Sequence, residues 1–223
     1  MAQEILAIIP ARGGSKRVPK KNIKKLCGKP LIQYTIETAK KSIVDDVIVS
    51  TEDKEIIDVV QKCGGVRTIR RPKTLSTDWA KTIDAVLDVL RYENPDIVVC
   101  LQPTSPFRSA QDIDNAVELF MRGGCESVIS VCEIGQRHTW FLRIDKNYLA
   151  PVFGHKYLNG KKNLPKMYIP NGAIYVSTPQ LLKKYKSFYT GKILPYVMPE
   201  ERSIDVDDSE DLLRAQLILR KKL

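Results

Sequence analysis

Short apolar runs alternate with amphipathic stretches along the chain, and this alternation predicts strands and helices in turn. The run from Ile5 to Ile9 is wholly apolar and ends at Pro10, as in a strand buried on both faces. Asp53 to Cys63 has apolar residues at helical spacing and stops at Gly64-Gly65. The pattern predicts strands at 5–9, 47–50, 66–70, 97–101, 127–133 and 172–176, and helices at 31–41, 53–63, 79–92, 110–123 and from 209 onward.

This order of elements predicts parallel βαβ units, which form a mostly parallel sheet with helices on both faces. The predicted fold class is therefore α/β, in a single domain over residues 1–223. The pattern breaks between residues 134 and 168, where aromatic, basic, Gly and Asn residues show no sustained period. We interpret this stretch as an insertion of hairpins or loops, and as a candidate for contact between subunits.

The composition is that of a soluble globular protein, with 43% apolar and 28% charged residues among 223. No apolar run approaches the roughly 20 residues of a membrane-spanning helix, and the first residues lack the pattern of a signal peptide. Five cysteines without a CxxC pair and only two histidines argue against a zinc site. These features predict a cytoplasmic protein with free thiols and no association with membranes.

The net charge of +10 is compatible with nucleic acid, an anionic membrane surface or a small polyanionic substrate as the partner. Seven Lys and Arg residues lie between Pro10 and Lys25 with no acidic residue among them, whereas the other basic residues are scattered. Aromatic residues seldom accompany them. This distribution favours one phosphate-binding loop over a surface for nucleic acid.

Five of these seven cations lie in the segment from Ile9 to Asn22, directly after the first predicted strand. Gly13 and Gly14 allow a sharp turn whose N–H groups can face an anion, and the cations add charge. The segment matches neither GxxxxGK[ST] nor GxGxxG, which argues against an ATPase P-loop and a dinucleotide site. Its place at the carboxyl end of a strand is where open α/β sheets bind ligands, although a solvated basic loop would have the same composition.

Two further segments carry candidate chemistry. Gln102 to Arg108 follows a buried strand, and its two prolines stiffen a loop of polar groups that suits a base or sugar. Asp205 and Asp207 lie two residues apart, so an extended backbone places both carboxylates on one face. Such a pair, with a substrate phosphate, suits Mg²⁺. The alternatives are a proline-rich turn with satisfied hydroxyls and an Asp-rich helix cap.

At these segments the chain resembles the acylneuraminate cytidylyltransferases, also called CMP-sialic acid synthetases. The resemblance covers nearly the whole chain and implies a Rossmann-like three-layer sandwich with a small inserted segment for dimerisation. It implies transfer of CMP from CTP to the C2 hydroxyl of a nine-carbon 2-keto sugar acid, with Mg²⁺, for surface polysaccharide biosynthesis. The motifs are Ala11-Arg12 with Ser15-Lys16 and Pro19 to Asn22, Ser50-Thr51-Glu52, Arg71-Pro72, Gln102 to Pro106, Asn171 to Tyr175, and Ser203 to Asp207.

The resemblance also assigns roles to individual residues. The catalytic candidates are Arg12, Lys21 and Asp205, and the metal ligands are Asp205 and Asp207. Lys21 is expected to stabilise charge at the α-phosphate. The expected nucleotide-binding residues are Ala11, Arg12, Gly13, Ser15, Lys16, Lys21, Asn22, Arg71 and Thr82. The expected sugar-acid contacts are Gln102, Tyr175, Phe188 and Tyr189.

Departures from the family pattern leave the acceptor open. Ile169 stands where relatives specific for sialic acid carry Arg, Lys161 replaces a second arginine, and Phe141 replaces the Lys of a His-Pro-x-Lys motif that here begins at His138. A deoxygenated acid such as legionaminic acid, or another nonulosonic acid, fits these changes. Two other functions also remain: a nucleotidyltransferase for 3-deoxy-manno-octulosonate or a sugar 1-phosphate, and a non-catalytic module that binds nucleotides or RNA.

Overall fold

A seven-stranded sheet forms the centre of the molecule. The computed structural model describes residues 3–135, 141–155 and 166–222. Its strands are β1 (Ile5–Pro10), β2 (Lys25–Leu26), β3 (Lys29–Pro30), β4 (Asp46–Thr51), β5 (Arg67–Arg70), β6 (Ile97–Cys100), β7 (Ser127–Ile134), β8 (Leu142–Asp145), β9 (Tyr148–Pro151), β10 (Met167–Ser177) and β11 (Ile193–Met198).

The main sheet has the order β11-β7-β10-β6-β1-β4-β5, and it is mostly parallel as predicted. Strand β1 pairs in parallel with β4 and β6, β4 with β5, and β11 with β7. Strand β10 is antiparallel to both of its neighbours. It is also longer than the predicted strand at 172–176, because residues 167–170 continue the pairing with β7.

Helices cover both faces of this sheet. They are α1 (Leu31–Ala39), α2 (Lys54–Cys63), α3 (Thr82–Val89), α4 (Ala110–Met121) and α5 (Pro179–Tyr185), while α6 (Ser209–Lys222) packs beside β2 in a separate apolar cluster. Among the described residues, no helix combines the length and the apolar character needed to cross a membrane. The three-layer α/β arrangement predicted from the alternation of elements is confirmed.

The wholly apolar sequence of β1 explains why both sheet faces are covered. Ile5, Ala7 and Ile9 belong to the core on the side of α1, α2 and α4, whereas Leu6 and Ile8 pack with α3 and α5. Successive strand residues point to opposite faces, so each strand supplies both cores. Burial of each large apolar side chain contributes roughly 1.5–3 kcal/mol.

The structure differs from the predicted elements in three respects. Helix α3 begins at Thr82 rather than Trp79, because the Asp84 carboxylate accepts the Lys81 backbone N–H at 2.9 Å and fixes the first turn there. Strand β11 and helix α5 were not predicted. Asp205 and Asp207 lie in irregular backbone rather than in a strand, although the alternation of buried and accessible residues from 204 to 207 is preserved.

Part of the predicted insertion is a separate hairpin. Strands β8 and β9 pair antiparallel with each other in a sheet of their own. The ends of the predicted range, residue 134 and residues 167–168, belong instead to β7 and β10. His138 and Lys161, which carry two of the departures from the family pattern, lie outside the described residues.

The connectivity creates a crevice at the carboxyl edge of the sheet. From β1 the chain moves outward through β4 and β5, and it then returns to form β6 on the other side of β1. Ligands of open α/β sheets bind where the strand order reverses in this way. The loops after β1 and β6 flank this point, and they are the two segments with the candidate residues.

Asp112, in the first turn of α4, links this helix to β11 and to the segment around Arg202. Its buried carboxylate accepts hydrogen bonds from Arg202 Nε at 2.9 Å and Nη2 at 3.0 Å, and from the Tyr196 hydroxyl at 2.9 Å. It also caps α4 through the Ser109 backbone N–H at 2.8 Å. Burial opposes ionisation, but these donors hold the pKa of Asp112 below its ordinary value of 3.8.

We expect Asp112→Asn to lower the free energy of unfolding by on the order of 3 kcal/mol at pH 7, because it leaves Arg202 without its charge partner. Since the folded pKa is lowered, the wild-type advantage is complete above the unfolded pKa near 3.8 and disappears as the pH falls through the folded value. Urea unfolding at several pH values measures the difference. The exposed Glu118→Gln on the same helix is the control, and an equal loss in both variants would contradict the assignment.

Candidate active site

A cavity of about 720 Å³ opens at this crevice. It brings together residues from four separate segments of the chain. Those from the sequence predictions are Arg12, Ser15, Lys16, Lys21, Asn22, Arg71, Thr82, Gln102, Asp205 and Asp207. Leu75, Asp78, Trp79, Ala80 and Lys81 form much of one remaining wall.

The basic loop after β1 is fixed at both ends by buried groups. Ala11 is fully buried, and its N–H donates to the carbonyl of Ser50 at 2.9 Å. Asn22 is also buried, and its side-chain amide donates to the Arg12 carbonyl at 2.8 Å. Asn22 lies within the short helical turn Lys21–Ile23. The cations between these two anchors are therefore presented on a closed loop.

Glu52 ties this loop to the segment after β5. One carboxylate oxygen accepts the Gly13 N–H at 2.8 Å, and the other accepts Arg71 Nε at 3.2 Å and the Ser76 hydroxyl at 2.6 Å. Burial opposes its ionisation, but these donors lower the pKa of Glu52 overall. Gly13 has no room for a larger residue, since a Cβ there would lie 2.1 Å from Asp53 Oδ2. The sequence motif pointed to Glu52, but its clamping role was not predicted.

Two carboxylates balance four cations at the cavity. Asp78 pairs with Arg12 Nη1 at 3.0 Å and with Lys16 Nζ at 2.5 Å. Asp207 pairs with Lys21 Nζ at 2.9 Å and with Arg17 Nη1 at 3.7 Å. The side chain of Lys21 is largely buried, whereas those of Lys16 and Arg17 are exposed.

The Asp205–Asp207 pair faces the cavity, as predicted. Ile204 and Val206 alternate with the two aspartates and are buried in a separate apolar cluster beside α6. The Val206 N–H donates to the Thr104 carbonyl at 2.7 Å, which joins this segment to the loop after β6. Backbone packing therefore orients the two carboxylates.

The two aspartates differ in environment. Burial, together with the charge of Asp207, raises the pKa of Asp205, and its Oδ1 atom is buried without a partner among the described residues. The hydrogen bond from Lys21 lowers the pKa of Asp207. Asp208 is the residue that caps α6, accepting the N–H groups of Glu210 and Asp211 at 2.9 and 3.0 Å. The alternative of a purely capping role thus applies to Asp208 rather than to Asp205 and Asp207, which both line the cavity.

The buried side chain of Arg108 holds the loop after β6 in place. This side chain is 2% exposed, and its Nη2 donates to the carbonyls of Gln102 and Ser105, the latter at 2.8 Å. Its Nε and Nη1 have no partner among the described residues, and burial lowers the pKa of Arg108 to about 9. Above it, the Gln102 amide donates to the Thr82 hydroxyl at 3.1 Å. Gln102 and Thr82 are therefore neighbours on the cavity wall.

Asn171 connects this loop to the sheet and to the aspartate segment. Its carbonyl accepts the Ser105 hydroxyl at 3.2 Å, and its side-chain amide donates to the Ser203 hydroxyl at 2.9 Å. The next residue, Gly172, has φ +72°, and a Cβ there would lie 2.6 Å from Gln102 Oε1 and 3.4 Å from Asp205 Oδ2. A glycine is needed at this position for both reasons.

The predicted sugar-acid residues are only partly on the cavity wall. Gln102 lines the cavity, whereas Tyr175, Phe188 and Tyr189 are not among its lining residues. The rings of Tyr175 and Phe188 pack at a centroid distance of 5.1 Å, and Phe188 is buried beneath. Tyr189 is largely exposed. Contact of these three aromatic residues with a substrate stays a prediction.

No cysteine nucleophile emerges from the described residues. All five cysteines are free thiols, as predicted. Cys100 is fully buried in β6, and this burial raises its pKa to about 12, which disfavours the thiolate. The described residues also hold no group of three or more His, Cys, Asp or Glu side chains that could bind a metal ion. A metal here would rest on the two aspartates and on ligands from a substrate.

Comparison with solved structures supports the fold. A structure described as CMP:2-keto-3-deoxy-manno-octonic acid synthetase complexed with CTP superimposes with a TM-score of 0.79, covering 99% of this chain and 100% of that one. Sequence identity between the two is 19%. At this identity the match establishes a shared architecture, which is the Rossmann-like three-layer sandwich expected from the sequence.

Curated relatives match at higher identity. The CMP-N,N'-diacetyllegionaminic acid synthase of Legionella pneumophila is 38% identical over 217 residues, which are 93% of this chain and 92% of that protein. An N-acylneuraminate cytidylyltransferase of Streptococcus agalactiae serotype III is 36% identical over 213 residues, 93% of this chain and 51% of that protein. The chain thus spans nearly all of the first relative and about half of the second.

The family model for cytidylyltransferases matches residues 6–141. This range contains all of β1 but its first residue, together with the basic loop, Glu52 and the loop after β6, which form most of the cavity. The resemblance drawn from the sequence motifs is therefore confirmed. With this match over more than half of the chain, and with full-length similarity to the Legionella protein, the chain belongs to the cytidylyltransferase family.

Proposed function

We propose that this enzyme transfers CMP from CTP to the C2 hydroxyl of a nonulosonic acid, a nine-carbon 2-keto sugar acid, and releases pyrophosphate. The observation that carries this proposal is the meeting of the basic loop with the Asp205–Asp207 pair in one cavity. Membership in the cytidylyltransferase family supports a cytidine nucleotide as the donor. The named product of the Legionella relative supports a sugar acid as the acceptor.

The nucleotide side of the reaction rests on the basic loop. Arg12, Lys16 and Lys21 supply the charge for the triphosphate, and the loop backbone at Ala11, Gly13 and Ser15 sets their positions. Asn22, Arg71 and Thr82 complete the nucleotide contacts on the other walls of the cavity.

In this reaction the acceptor's C2 oxygen forms a bond to the α-phosphorus of CTP while the bond to the β-phosphate oxygen breaks. The hydroxyl loses its proton, and pyrophosphate leaves with the bonding electrons. Negative charge develops on the non-bridging oxygens of the α-phosphate. Lys21 is the cation on the loop that is both largely buried and next to the aspartate pair, so we assign it to that charge.

Asp205 and Asp207 fit Mg²⁺. Hard carboxylate oxygens are the ligands that this ion takes from proteins, usually one or two alongside water and substrate phosphates. The unpartnered, buried Oδ1 of Asp205 and the proximity of two like charges are features that a bound cation would stabilise. When bound, Mg²⁺ neutralises charge on the phosphate oxygens.

For the acceptor we propose an acid less oxygenated than N-acetylneuraminate, of the legionaminic type. Gln102 supplies a polar contact beside the nucleotide residues. Ile169 on β10 and Phe141 at the hairpin are both more than half exposed, and they offer apolar surface where sialic acid-specific relatives place cations. We assign Tyr175, Phe188 and Tyr189 to the same substrate, as a wall that becomes accessible when the acid binds.

We further propose that the enzyme works as a cytoplasmic homodimer. The β8–β9 hairpin and the residues that flank it expose several large apolar side chains, and such a concentration of exposed apolar surface is typical of a contact surface. They are Phe141, Leu142, Ile144, Tyr148, Leu149 and Val152. The five free thiols agree with a reducing compartment.

Pyrophosphate release tests the reaction. We expect release from CTP only when a nonulosonic acid and Mg²⁺ are both present, with a legionaminic-type acid giving a higher kcat/KM than N-acetylneuraminate. ATP, GTP, 3-deoxy-manno-octulosonate and a sugar 1-phosphate serve as controls. Equal turnover with ATP, or turnover with the octulosonate alone, would show that the donor or acceptor is assigned wrongly.

The metal assignment can be tested in the same assay with Asp205→Asn. This variant keeps the shape of the side chain but removes its charge, so folding should persist while turnover falls by orders of magnitude. Asp208→Asn, at the helix cap, is the matched control and should retain most activity. A wild-type rate for Asp205→Asn at low Mg²⁺ would rule out this aspartate as a metal ligand.

Lys21→Ala should lower kcat by about a hundred- to thousandfold, because a preorganised donor at the developing charge is lost. CTP binding should weaken much less, since the interaction grows in the transition state. Lys20→Ala and Lys24→Ala remove exposed cations of the same loop and should cost little. If Lys21→Ala changed only the affinity for CTP, or if Lys20→Ala were the inactive variant, Lys21 would not be the catalytic lysine.

Light scattering after size-exclusion chromatography tests the dimer. We expect the wild-type chain to have twice the monomer mass of 25.3 kDa. Ile144→Lys, which places a charge on the exposed face of the hairpin, should shift it toward monomer, whereas Leu217→Lys on α6 should not. A dimer unaffected by Ile144→Lys would place the interface elsewhere.

A further inference from the structure

Asp78 bridges two of the cations that the proposed reaction needs for phosphate. Its Oδ1 lies 3.0 Å from Arg12 Nη1, and its Oδ2 lies 2.5 Å from Lys16 Nζ. Arg12 Nη1 also donates to the neighbouring carbonyl of Thr77 at 2.9 Å. Neither the sequence motifs nor the comparisons assign a role to Asp78.

We propose that Asp78 competes with the phosphate groups of the substrate and product for Arg12 and Lys16. Its carboxylate lines the same cavity as Arg12 and Lys16 and is paired with both, so it must leave these cations when the triphosphate binds to them. Asp78 therefore weakens the binding of CTP and of pyrophosphate, and it speeds the release of pyrophosphate after the reaction. This inference rests on the proposed function, because it concerns the same phosphate site.

The competition follows from charge. A triphosphate and a carboxylate on the same two cations repel each other over a few ångströms, and this repulsion is strong in a partly enclosed cavity. The hydrogen bond from Lys16, with the charges of Lys16 and Arg12, lowers the pKa of Asp78, so this side chain is ionised at neutral pH. Co-binding of both anions is therefore unfavourable.

The segment that carries Asp78 can move at small cost. Residues 77–81 are irregular, between a short helical turn that ends at Ser76 and the start of α3. A local bond from the Ala80 N–H to the Thr77 carbonyl, at 3.2 Å, keeps the turn together. Trp79 is 93% exposed, so moving it disrupts almost no packing. The ion pairs of Asp78 with Arg12 and Lys16 are then the main contacts to be exchanged for phosphate.

The arrangement also accounts for product release. Pyrophosphate carries the same kind of charge as the triphosphate that it comes from, so a site built only for affinity would retain it. Return of Asp78 to Arg12 and Lys16 compensates the two cations as the product leaves. The residue thus lowers affinity for both anions without touching the reacting atoms.

Calorimetry on the full chain tests this proposal without any acceptor. We expect Asp78→Asn to bind CTP and inorganic pyrophosphate, each with Mg²⁺, roughly two- to thirtyfold more tightly than wild type, because two exposed ion pairs no longer compete. The ratio of the variant's affinity to the wild-type affinity should shrink at high salt, because salt screens the charge of Asp78. A purely structural role would not produce this salt dependence. Asp58→Asn, which removes the same charge from the exposed face of α2, should leave both affinities unchanged.

Equal or weaker binding by Asp78→Asn would overturn the competitor role and leave the proposed reaction intact. If wild-type chain bound neither CTP nor pyrophosphate, the proposed function would fail and this inference with it. Tryptophan fluorescence gives an independent measurement, since Trp140→Phe leaves Trp79 as the one tryptophan of the chain. Pyrophosphate has no base to stack on the indole, so it should change Trp79 emission only by displacing the segment. A change in Trp79 emission at saturating pyrophosphate supports displacement of the segment, and the ratio of affinities decides the competitor role.

Discussion

Repulsion among the cations at the carboxyl edge of the sheet is the constraint on which the site depends. Arg12, Lys16, Arg17 and Lys21 come from ten consecutive residues, and charges held this close need compensation to stay in place. Asp78 and Asp207 supply it by pairing with two cations each. Both carboxylates lie on segments distant in sequence from the loop, so the fold must bring them there. A phosphate group could replace the carboxylates as the partner of these cations. A divalent cation could replace the basic side chains as the partner of the carboxylates.

Buried polar groups keep the loops of the site in position. Glu52 joins the Gly13 backbone to Arg71, and Arg108 holds the carbonyls of Gln102 and Ser105. Asn171 links that same loop to Ser203 and so to the aspartate segment. A buried guanidinium with two nitrogens that find no partner among the described residues is costly, and such a cost persists where the group fixes a functional geometry. Buried groups thus fix the loop positions needed for phosphoryl transfer, whereas the side chains that line the cavity are more accessible.

Sequence reasoning succeeded where a local pattern determines the structure. The apolar run of β1 had to be buried on both faces, and the alternation of Ile204 and Val206 with two aspartates had to place both carboxylates together. It failed for β11, because Pro195 and an alternating half-exposed pattern are typical of an edge strand that lacks a strong signal. The roles of Glu52 and Asp78 were also missed. Each depends on distances between segments that are 19 to 66 residues apart in sequence, and no single-sequence pattern encodes those distances.

On our proposal, phosphate and metal take over the ion pairs of the basic loop. A crystal structure of the chain with CTP and Mg²⁺ tests this claim most directly. We expect the triphosphate against Arg12, Lys16 and Lys21, with Asp78 no longer paired to the first two and Asp207 released from Lys21 toward the metal. A nucleotide bound elsewhere in the cavity, with the Arg12–Asp78 and Lys21–Asp207 pairs still in place, would contradict it.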